Sequence, residues 1–535
     1  MKKISLFLIA ALFSLGVVKA QNAMDAYRYS KNDLTGTARS VSMGGAFGAL
    51  GGDISGIAIN PAGIGVYRNS EIVTTLNFEN AKTQTQTQID EGLQGLRYGD
   101  KIDQSKLKFS FDNLAFVTIF PLNSDIAPTL NVGFSYNRLK SFDRKYRMGA
   151  GDLNTSLTDY MAGRSTANGR PSSDVALKGT SENEMWNIWN NQDWLTILGY
   201  NSYLLNETSS GVYESSTANL AVSNNLYARE KGSVSSYDFN VGTTFSNVLS
   251  VGLTLSMTDI NYRLYSIYTE DFEGGGLDKG YDMENSFRTD GTGWQVKAGI
   301  IVKPVQELRI GVSYHSPTWY DMTDRFFTDL THDLTGLKGI ANIAPDYTKG
   351  TVGTYDGKDA AVMDYQYRTP DKWTFSLAGV IGSKAIISAD YELTNYGNMK
   401  LYDRDGRNFN ADPNQFIKNI FRAASTVRVG AEYRFTDKFS GRVGYAWMQS
   451  PVKTEIKTSD QEITTDGRAV TQYALDGDAH YITYGLGYKI TPQFYTDVAF
   501  VMKSQKDDFY AFDFSDKTVF KTNNFQGLLT IGYKF

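Results

Sequence analysis

The residue types that usually carry enzymatic chemistry are scarce in this sequence. It contains no cysteine, and its three histidines, His315, His332 and His480, lie far apart along the chain. No G-x-S-x-G segment accompanies a histidine, so nothing supports a Ser-His-Asp hydrolase. No two histidines have the spacing of a metal site. The sequence therefore predicts no enzyme, no catalytic residue, no metal ligand and no cofactor.

One apolar stretch suits the capture of a hydrophobic molecule. Residues 185–198 hold three of the seven tryptophans, Trp186, Trp189 and Trp194, together with Leu195. Their spacing predicts an amphipathic helix. Such a helix either binds an apolar ligand directly or packs onto a neighbouring loop as a cap, and the two roles are compatible.

Two arginines are candidates for binding an anionic group. Arg309 and Arg442 fall on the inward face of their strands by period-two parity. A guanidinium in such a position would pair with the carboxylate of a ligand. The alternative is an ion pair with an inward acid such as Asp390 or Asp497.

The N-terminal part of the chain predicts a small packed element. A glycine-rich segment at residues 43–53 precedes Asn60, Pro61, Ala62 and Gly63. Proline fixes its own φ and favours an extended residue before it, and the following glycine permits a sharp turn. We interpret residues 21–69 as a hatch or plug with its gate at Asn60-Pro61-Ala62-Gly63, and a flexible linker is the alternative.

The first twenty residues have the pattern of a secretory signal peptide. Lys2 and Lys3 precede an apolar run at residues 4–18, and Val18-Lys19-Ala20 offers a cleavage site. No later run has the length of a transmembrane helix. We therefore expect an exported protein whose membrane residence depends on strands.

Residues 70–535 predict a transmembrane antiparallel β-barrel of about fourteen strands. Apolar and polar residues alternate in stretches such as 249–264 and 523–535. The connections alternate between long loops, up to 143–232, and short turns such as Asn247-Val248. This asymmetry is typical of multi-pass barrels in the bacterial outer membrane, with the short turns and the plug gate on the periplasmic side.

Composition agrees with an all-β membrane protein. The 34 tyrosines and 30 phenylalanines favour strands. A mean hydropathy of −0.34 is too polar for a helical membrane protein but suits strands that are apolar on one face. The net charge of −5 argues against nucleic-acid binding. Phe535, in register with outward apolar residues, resembles the signal that barrel assembly machinery reads.

Several motifs together resemble the outer-membrane long-chain fatty acid transporter family of the FadL/TodX type. They are the glycine-rich segment with Asn60-Pro61-Ala62-Gly63, the run from Trp294 to Gly299, the run from Arg309 to Pro317, and Thr369-Pro370-Asp371-Lys372-Trp373-Thr374 with Ser388-Ala389-Asp390-Tyr391. The loops resemble a Bacteroidetes version. The resemblance implies fourteen strands, a hatch in the lumen and passive uptake of hydrophobic molecules.

The favoured function is passive uptake of long-chain fatty acids or aromatic compounds by a monomer. The expected partners are a hydrophobic small-molecule ligand, outer-membrane lipid and lipopolysaccharide, and the assembly machinery. The alternatives are a barrel scaffold or shuttle that binds secreted protein cargo through its loops, and a haemin-binding receptor. A surface adhesin would rest on loop length alone.

Overall fold

A computed structural model describes residues 22–274, 279–335, 349–353, 361–382, 384–409, 413–458, 463 and 468–535. The predicted signal peptide at residues 1–20 lies outside the described residues.

Fourteen antiparallel strands within the described ranges form a closed barrel. Each strand pairs with its neighbour in the sequence, and β14 closes onto β1 from Lys534↔Glu71 to Lys517↔Gln88. The strands are β1 Glu71–Asp90, β2 Ile102–Pro121, β3 Thr129–Ser141 with Arg144–Ala150, β4 Ala221–Phe245, β5 Leu249–Glu273, β6 Gly280–Val305, β7 Leu308–His315 with Trp319–Asp333, β8 Ala361–Arg368 with Lys372–Ile381, β9 Ala385–Asn395 with Lys400–Tyr402, β10 Ala423–Arg434, β11 Phe439–Met448, β12 Tyr473–Leu475 with Ala479–Lys489, β13 Phe494–Tyr510 and β14 Lys517–Lys534. The predicted fold class is confirmed.

The wall alternates in exposure as a lipid-facing barrel requires. On β6, Trp294, Val296 and Ile300 are exposed, whereas Lys297 and Gly299 between them are buried. Trp294 pairs in register with the exposed Trp319 on β7 and marks the upper aromatic belt. Exposed aromatic residues near the short turns form the lower belt, among them Tyr433, Phe435 and Phe439. An apolar band between two aromatic belts is the membrane-facing surface of an outer-membrane barrel.

At one end of the barrel, which we call the lower end, the connections are two to seven residues long, as predicted. At the upper end five of the seven connections are longer than this, but residues 274–279 and 511–516, which join β5 to β6 and β13 to β14, are short, so the predicted long loops 265–289 and 506–522 are wrong in length. Ser246 and Asn247 have positive φ values of 48° and 58° and are the two central residues of a tight turn that the Val248 N–H closes by donating to the Phe245 carbonyl at 2.9 Å. Two central residues with positive φ are typical of a type I′ hairpin turn. Several strands continue beyond their predicted ends, so much of the predicted loop 265–289 belongs to β5 and β6. Outside the membrane the outer face becomes polar, so the apolar alternation stops although the pairing continues.

The helices lie in the N-terminal segment and in the long loops. They are α1 Ala23–Ser30, α2 Ala38–Ser42, α3 Ile54–Ile59, α4 Leu157–Asn168, α5 Glu182–Asn191, α6 Trp194–Asn201, α7 Pro413–Ile420 and α8 Thr454–Thr458, with 3₁₀ turns at Pro61–Val66, Gly92–Gln94, Ser172–Asp174 and Tyr396–Asn398. The remaining short strands are Leu96–Tyr98, Leu205–Ser209, Val212–Ser215 and Lys349–Gly353. Within the described ranges, no helix is long and apolar enough to cross a membrane.

The single helix predicted over residues 185–198 is two helices. Asp193 caps α6 by accepting a hydrogen bond from the Thr196 backbone N–H at 3.0 Å. α5 ends at Asn191, just before this cap. An aspartate that satisfies an unpaired N–H begins a new helix and ends the preceding one, which periodicity alone does not reveal.

A large aromatic core fills the upper part of the barrel. It combines inward strand residues with loop helices and with α1, and its largest members include Trp189, Trp194, Tyr146, Tyr262, Phe272, Phe287, Phe326, Phe509, Phe512 and Phe520. We call this set the aromatic core. The predicted plug is thus divided, because α1 packs into the aromatic core while residues 37–66 contact the lower wall.

Candidate functional site

Residues 22–69, which we call the N-terminal segment, lie inside the barrel, and Asn60 fixes this segment to the barrel wall. Its side-chain amide donates to the Gly48 carbonyl at 2.7 Å and to the Ile300 carbonyl on β6 at 3.2 Å. Its side-chain oxygen accepts from the Ala62 backbone N–H at 3.1 Å and so caps the 3₁₀ turn that begins at Pro61. One buried side chain therefore holds the turn, the glycine-rich segment and the wall together.

Two inward glycines of the wall make room for this contact. A β-carbon on Gly299 would lie 1.9 Å from the Asn60 side-chain oxygen, and one on Gly252 would lie 2.2 Å from the Pro61 carbonyl. Glycine inside a strand often marks the close approach of another backbone. Inward glycines in the strands were therefore the signal in the sequence for where Asn60 and Pro61 contact the wall.

The two predicted arginines face inward, as parity requires, and both contact protein groups. Arg442 forms ion pairs with Glu432 at 2.6 Å and with Asp497 at 2.5 Å. Glu432 also binds Arg39 of the N-terminal segment at 3.0 Å. Arg309 donates to the Leu50 carbonyl at 2.6 Å. Arg309 therefore contacts the N-terminal segment directly, whereas Arg442 is linked to it through Glu432.

A second group of ion pairs holds the start of the segment. Asp33 binds Lys503 on β13 at 2.9 Å, and Lys31 binds Asp476 at 2.5 Å. Burial alone would raise the pKa of Asp33, but Lys503 and then Lys140 outweigh that effect and lower it to about 2. Asp33 is therefore charged at neutral pH.

The predicted ligand-binding residues of the long loop belong to the cap. Trp189 and Trp194 are each 2% exposed, with ring centroids 5.1 Å apart, and Leu195 is fully buried. The Trp194 indole donates to the Trp189 carbonyl at 2.8 Å. Trp186 is half-buried on α5 and packs against the same core. The geometry thus matches the packing role, and the part-exposed face of α5 around Trp186 borders solvent.

Between the aromatic core and the lower wall lies a chamber with a volume of about 160 Å³. Residues 27–36 and 55–59 form one side of it, and inward residues of the wall form the other. Lys297, His315 and Lys372 line it from adjacent strands, and they are direct register partners across β6, β7 and β8. The chamber therefore has a row of basic side chains on one wall.

Two cationic groups in the chamber retain unused hydrogen-bonding capacity. Lys297 pairs with Asp238 at 3.3 Å, and the His315 ring contacts the Ile59 carbonyl at 3.0 Å. Arg428 binds Glu392 at 2.7 Å through Nη2, but its buried Nη1 has no partner. Lys372 has no hydrogen bond or ion pair within the described ranges. An anion in the chamber would meet the Lys372 ammonium and Arg428 Nη1.

Sequence reasoning did not select Lys372 or Arg428. The available signal was parity, because a charged residue on the inward face of a strand must meet water, a partner or a ligand. Parity does not say which of several inward cations already has a partner.

The wall beside the chamber has a seam. β2 pairs with β3 only from Asn113↔Asn137 down to Pro121↔Thr129, so the upper half of β2 pairs with β1 alone in the described structure. The second segment of β3 moves inward, and Thr83 on β1 donates to the Lys145 carbonyl at 2.9 Å. Asn137 and Leu139, where the pairing stops, line the chamber.

Side-chain ion pairs cross this seam in place of backbone hydrogen bonds. Lys106 and Lys108 on β2 both bind Asp143, the former at 2.5 Å, and Arg138 binds Asp112. Such pairs can separate without breaking a ladder of backbone bonds.

The three histidines do not come together. His315 lies in the chamber, His480 contacts the Tyr445 hydroxyl at 2.8 Å on the outer face, and His332 is buried near the upper end of β7. In the part of the chain that the structure describes, no group of three or more histidine and acidic residues is arranged to hold a metal ion.

Comparison with known proteins identifies the family. A sequence profile for the outer membrane protein transport proteins, OMPP1/FadL/TodX, matches residues 211–527, more than half of the chain. The chain belongs to this family. It is therefore an outer-membrane β-barrel, and the predicted localisation and resemblance are confirmed.

Individual relatives are distant. The chain is 26% identical over 220 residues to outer membrane protein P1 of Haemophilus influenzae, an alignment that covers 37% of this chain and 46% of that protein. The chain thus spans about half the length of the curated relative it matches. The crystal structure of a Pseudomonas aeruginosa FadL homologue superposes with a TM-score of 0.51 at 14% identity, covering 94% of this chain and 99% of the other. The Ralstonia pickettii toluene transporter TbuX gives 0.47 at 13% identity, with the same coverage of both chains. The first of these structures supports the shared fold.

Proposed function

We propose that this protein is a channel for passive uptake of hydrophobic small molecules that carry an anionic group, with long-chain fatty acids as the first candidates. The observation that carries the proposal is a pair of donors that line the chamber. Arg428 Nη1 is buried without a hydrogen-bond partner, and the Lys372 ammonium has no hydrogen bond or ion pair within the described ranges. A carboxylate between two cations forms charge-assisted hydrogen bonds. An aromatic hydrocarbon would gain nothing from them, so aromatic compounds are the second choice.

The basic side chains of the chamber suit the anionic end of such a ligand, and the aromatic core suits its alkyl chain. Tyr29 and Tyr320 contribute aromatic rings to the chamber lining, next to the polar row. Burial of an alkyl chain contributes about 0.8 kcal/mol per methylene. The part-exposed apolar face of α5 around Trp186 would make the first contact from outside.

Two routes lead out of the chamber. In the first, the N-terminal segment rearranges near Asn60-Pro61-Ala62 and opens the lower wall, which makes residues 22–69 a plug. In the second, the ion pairs at Asp143 and Asp112 separate and the ligand leaves sideways through the seam. Neither route needs an energy source, because a concentration gradient drives diffusion.

A binding experiment tests the proposal. Purified barrel is titrated with oleate, methyl oleate and toluene, and Lys372→Gln is compared with Lys438→Gln in an exposed short turn. We expect Lys372→Gln to weaken oleate binding about tenfold and to leave methyl oleate unchanged, since one charge-assisted bond is removed. Lys438→Gln should match the wild type.

The contrary outcomes are also distinct. Equal oleate affinity in Lys372→Gln and the wild type would remove the chamber from the mechanism. Protein cargo that copurifies with the barrel in place of lipid, together with normal fatty-acid uptake by cells that lack the protein, would favour a cargo scaffold.

A further inference from the structure

A row of basic side chains crosses the outer surface above the upper aromatic belt. Lys231 on β4 pairs in register with Arg263 on β5, Arg263 with Arg288 on β6, and Arg288 with Arg325 on β7. Lys231, Arg263 and Arg288 are exposed, and Arg325 is half-buried. We call these four residues the basic row.

The basic row places like charges directly opposite one another on adjacent strands. Such cross-strand neighbours have β-carbons about 4.5–5.5 Å apart, and like charges at these positions are destabilising. Three successive unfavourable pairs on one surface would be offset by an external anion.

One acid on this surface supplies part of the compensation. Asp290 binds Arg288 at 2.7 Å and Arg325 at 3.0 Å, and it also accepts from Asn261 at 2.7 Å. Lys231 and Arg263 have no hydrogen bond or ion pair to any residue that the structure describes. Half of the basic row therefore lacks an anionic partner among the residues that the structure describes.

The height of the row indicates which anion it meets. Arg288 lies six residues above Trp294 on β6, about 20 Å along the strand and about 15 Å along the membrane normal for a tilt near 40°. The side chains between belt and row include Asp259, Asp321 and Asp364, which are exposed acids. These acids would repel phosphates at the membrane interface, so we expect the anion that binds the basic row to lie farther from the membrane.

We propose that the basic row binds the anionic inner-core sugars of lipopolysaccharide. This lipid forms the outer leaflet around an outer-membrane barrel. Its core sugars carry carboxylates and phosphates just above the lipid A headgroup, which is the height of the row. Arginine suits both groups because its planar fork donates two parallel hydrogen bonds. The surface lies outside the lumen, so the proposal does not depend on the transported ligand.

A pair of lipid probes tests the proposal. Purified barrel is titrated with lipopolysaccharide truncated after the acidic inner-core sugars and, separately, with lipid A alone, and binding is followed by native mass spectrometry. The double variant Lys231→Gln/Arg263→Gln removes the two unpartnered charges. Arg404→Gln is the control, since its side chain is 80% exposed and outside the row. Heat-modifiable migration on a gel verifies that each barrel is folded.

We expect the double variant to bind the core-bearing lipid about tenfold or more weakly. Its affinity for lipid A, and that of Arg404→Gln for both probes, should stay within about twofold of the wild type. Equal binding of the core-bearing lipid by the double variant and the wild type overturns the proposal, and so does an equal loss for both probes. If the double variant does not fold, Arg263→Gln serves in its place with the same criteria.

Discussion

The upper and lower parts of the barrel are filled in different ways. In the upper part, aromatic side chains from the wall, the loops and α1 pack into one core, as in Trp194 against Phe326 with centroids 6.1 Å apart. In the lower part, the N-terminal segment meets the wall through Asn60, through glycine contacts and through the Arg39–Glu432–Arg442 cluster. Apolar packing gives a rigid cap, whereas discrete polar contacts can be exchanged one at a time. We therefore expect conformational change in the N-terminal segment of the lower part and not in the aromatic core of the upper part.

The largest effect is expected in the aromatic core. Trp194→Ala removes a fully packed ring and leaves a cavity, which costs about 3–5 kcal/mol in buried sites of this kind. We expect the loop region 153–220 to become protease-sensitive while the barrel remains folded. Trp186→Ala, at a half-buried position on the neighbouring helix, should cost about 1 kcal/mol or less. Equal protease sensitivity in the two variants would contradict a rigid cap centred on Trp194.

An intermediate effect is expected at the lower ion cluster. Glu432→Gln keeps the shape of the side chain but leaves Arg39 without its carboxylate, while Arg442 retains Asp497. Breaking a buried ion pair costs about 3–5 kcal/mol, and we expect about 2–3 kcal/mol here because Arg39 is partly exposed. Trypsin cleavage at Arg39 should accelerate, and channel conductance in a planar bilayer should rise. Glu307→Gln, in an exposed turn, is the control, and cleavage at the wild-type rate in Glu432→Gln would show that the cluster does not hold the segment.

The smallest effect is expected at Asn60. Asn60→Ala leaves the Gly48 and Ile300 carbonyls and the Ala62 N–H without their shared partner, at a cost of about 1–2 kcal/mol. Hydrogen exchange at residues 60–66 should accelerate while exchange in the aromatic core does not change. Asn123→Ala in an exposed turn should alter neither region. Faster exchange in both regions of Asn60→Ala would mean that the two parts open together, and the contrast between them would then fail.

The sequence predicted the strands and turns of the barrel wall more fully than the contacts inside the lumen. Alternation at residues such as Trp294, Val296 and Ile300 follows directly from a lipid solvent outside and a filled lumen inside, so fourteen strands and their turns were predictable. The helix break at Asp193 was not predictable, because a local cap ends one helix and begins the next. The strand extensions above the membrane were not predictable either, because the outer face is polar there and the apolar alternation stops. Parity placed Arg309 and Arg442 inside, and Arg442 forms the ion pair with Asp497 that was the alternative to ligand binding. Parity did not reveal that Arg309 donates to the Leu50 carbonyl of the N-terminal segment.

By itself, the sequence determined an outer-membrane barrel and a kinked element at Asn60-Pro61-Ala62-Gly63. Both are local consequences of side-chain period and of the restricted backbone of proline. Only the tertiary structure decided that α1 belongs to the aromatic core, that Lys372 and Arg428 retain free donors, and that Lys231, Arg263, Arg288 and Arg325 form one row. The basic row depends on the register between neighbouring strands. The position of α1 and the free donors depend on which inward side chains the rest of the chain already contacts, which period and parity do not specify.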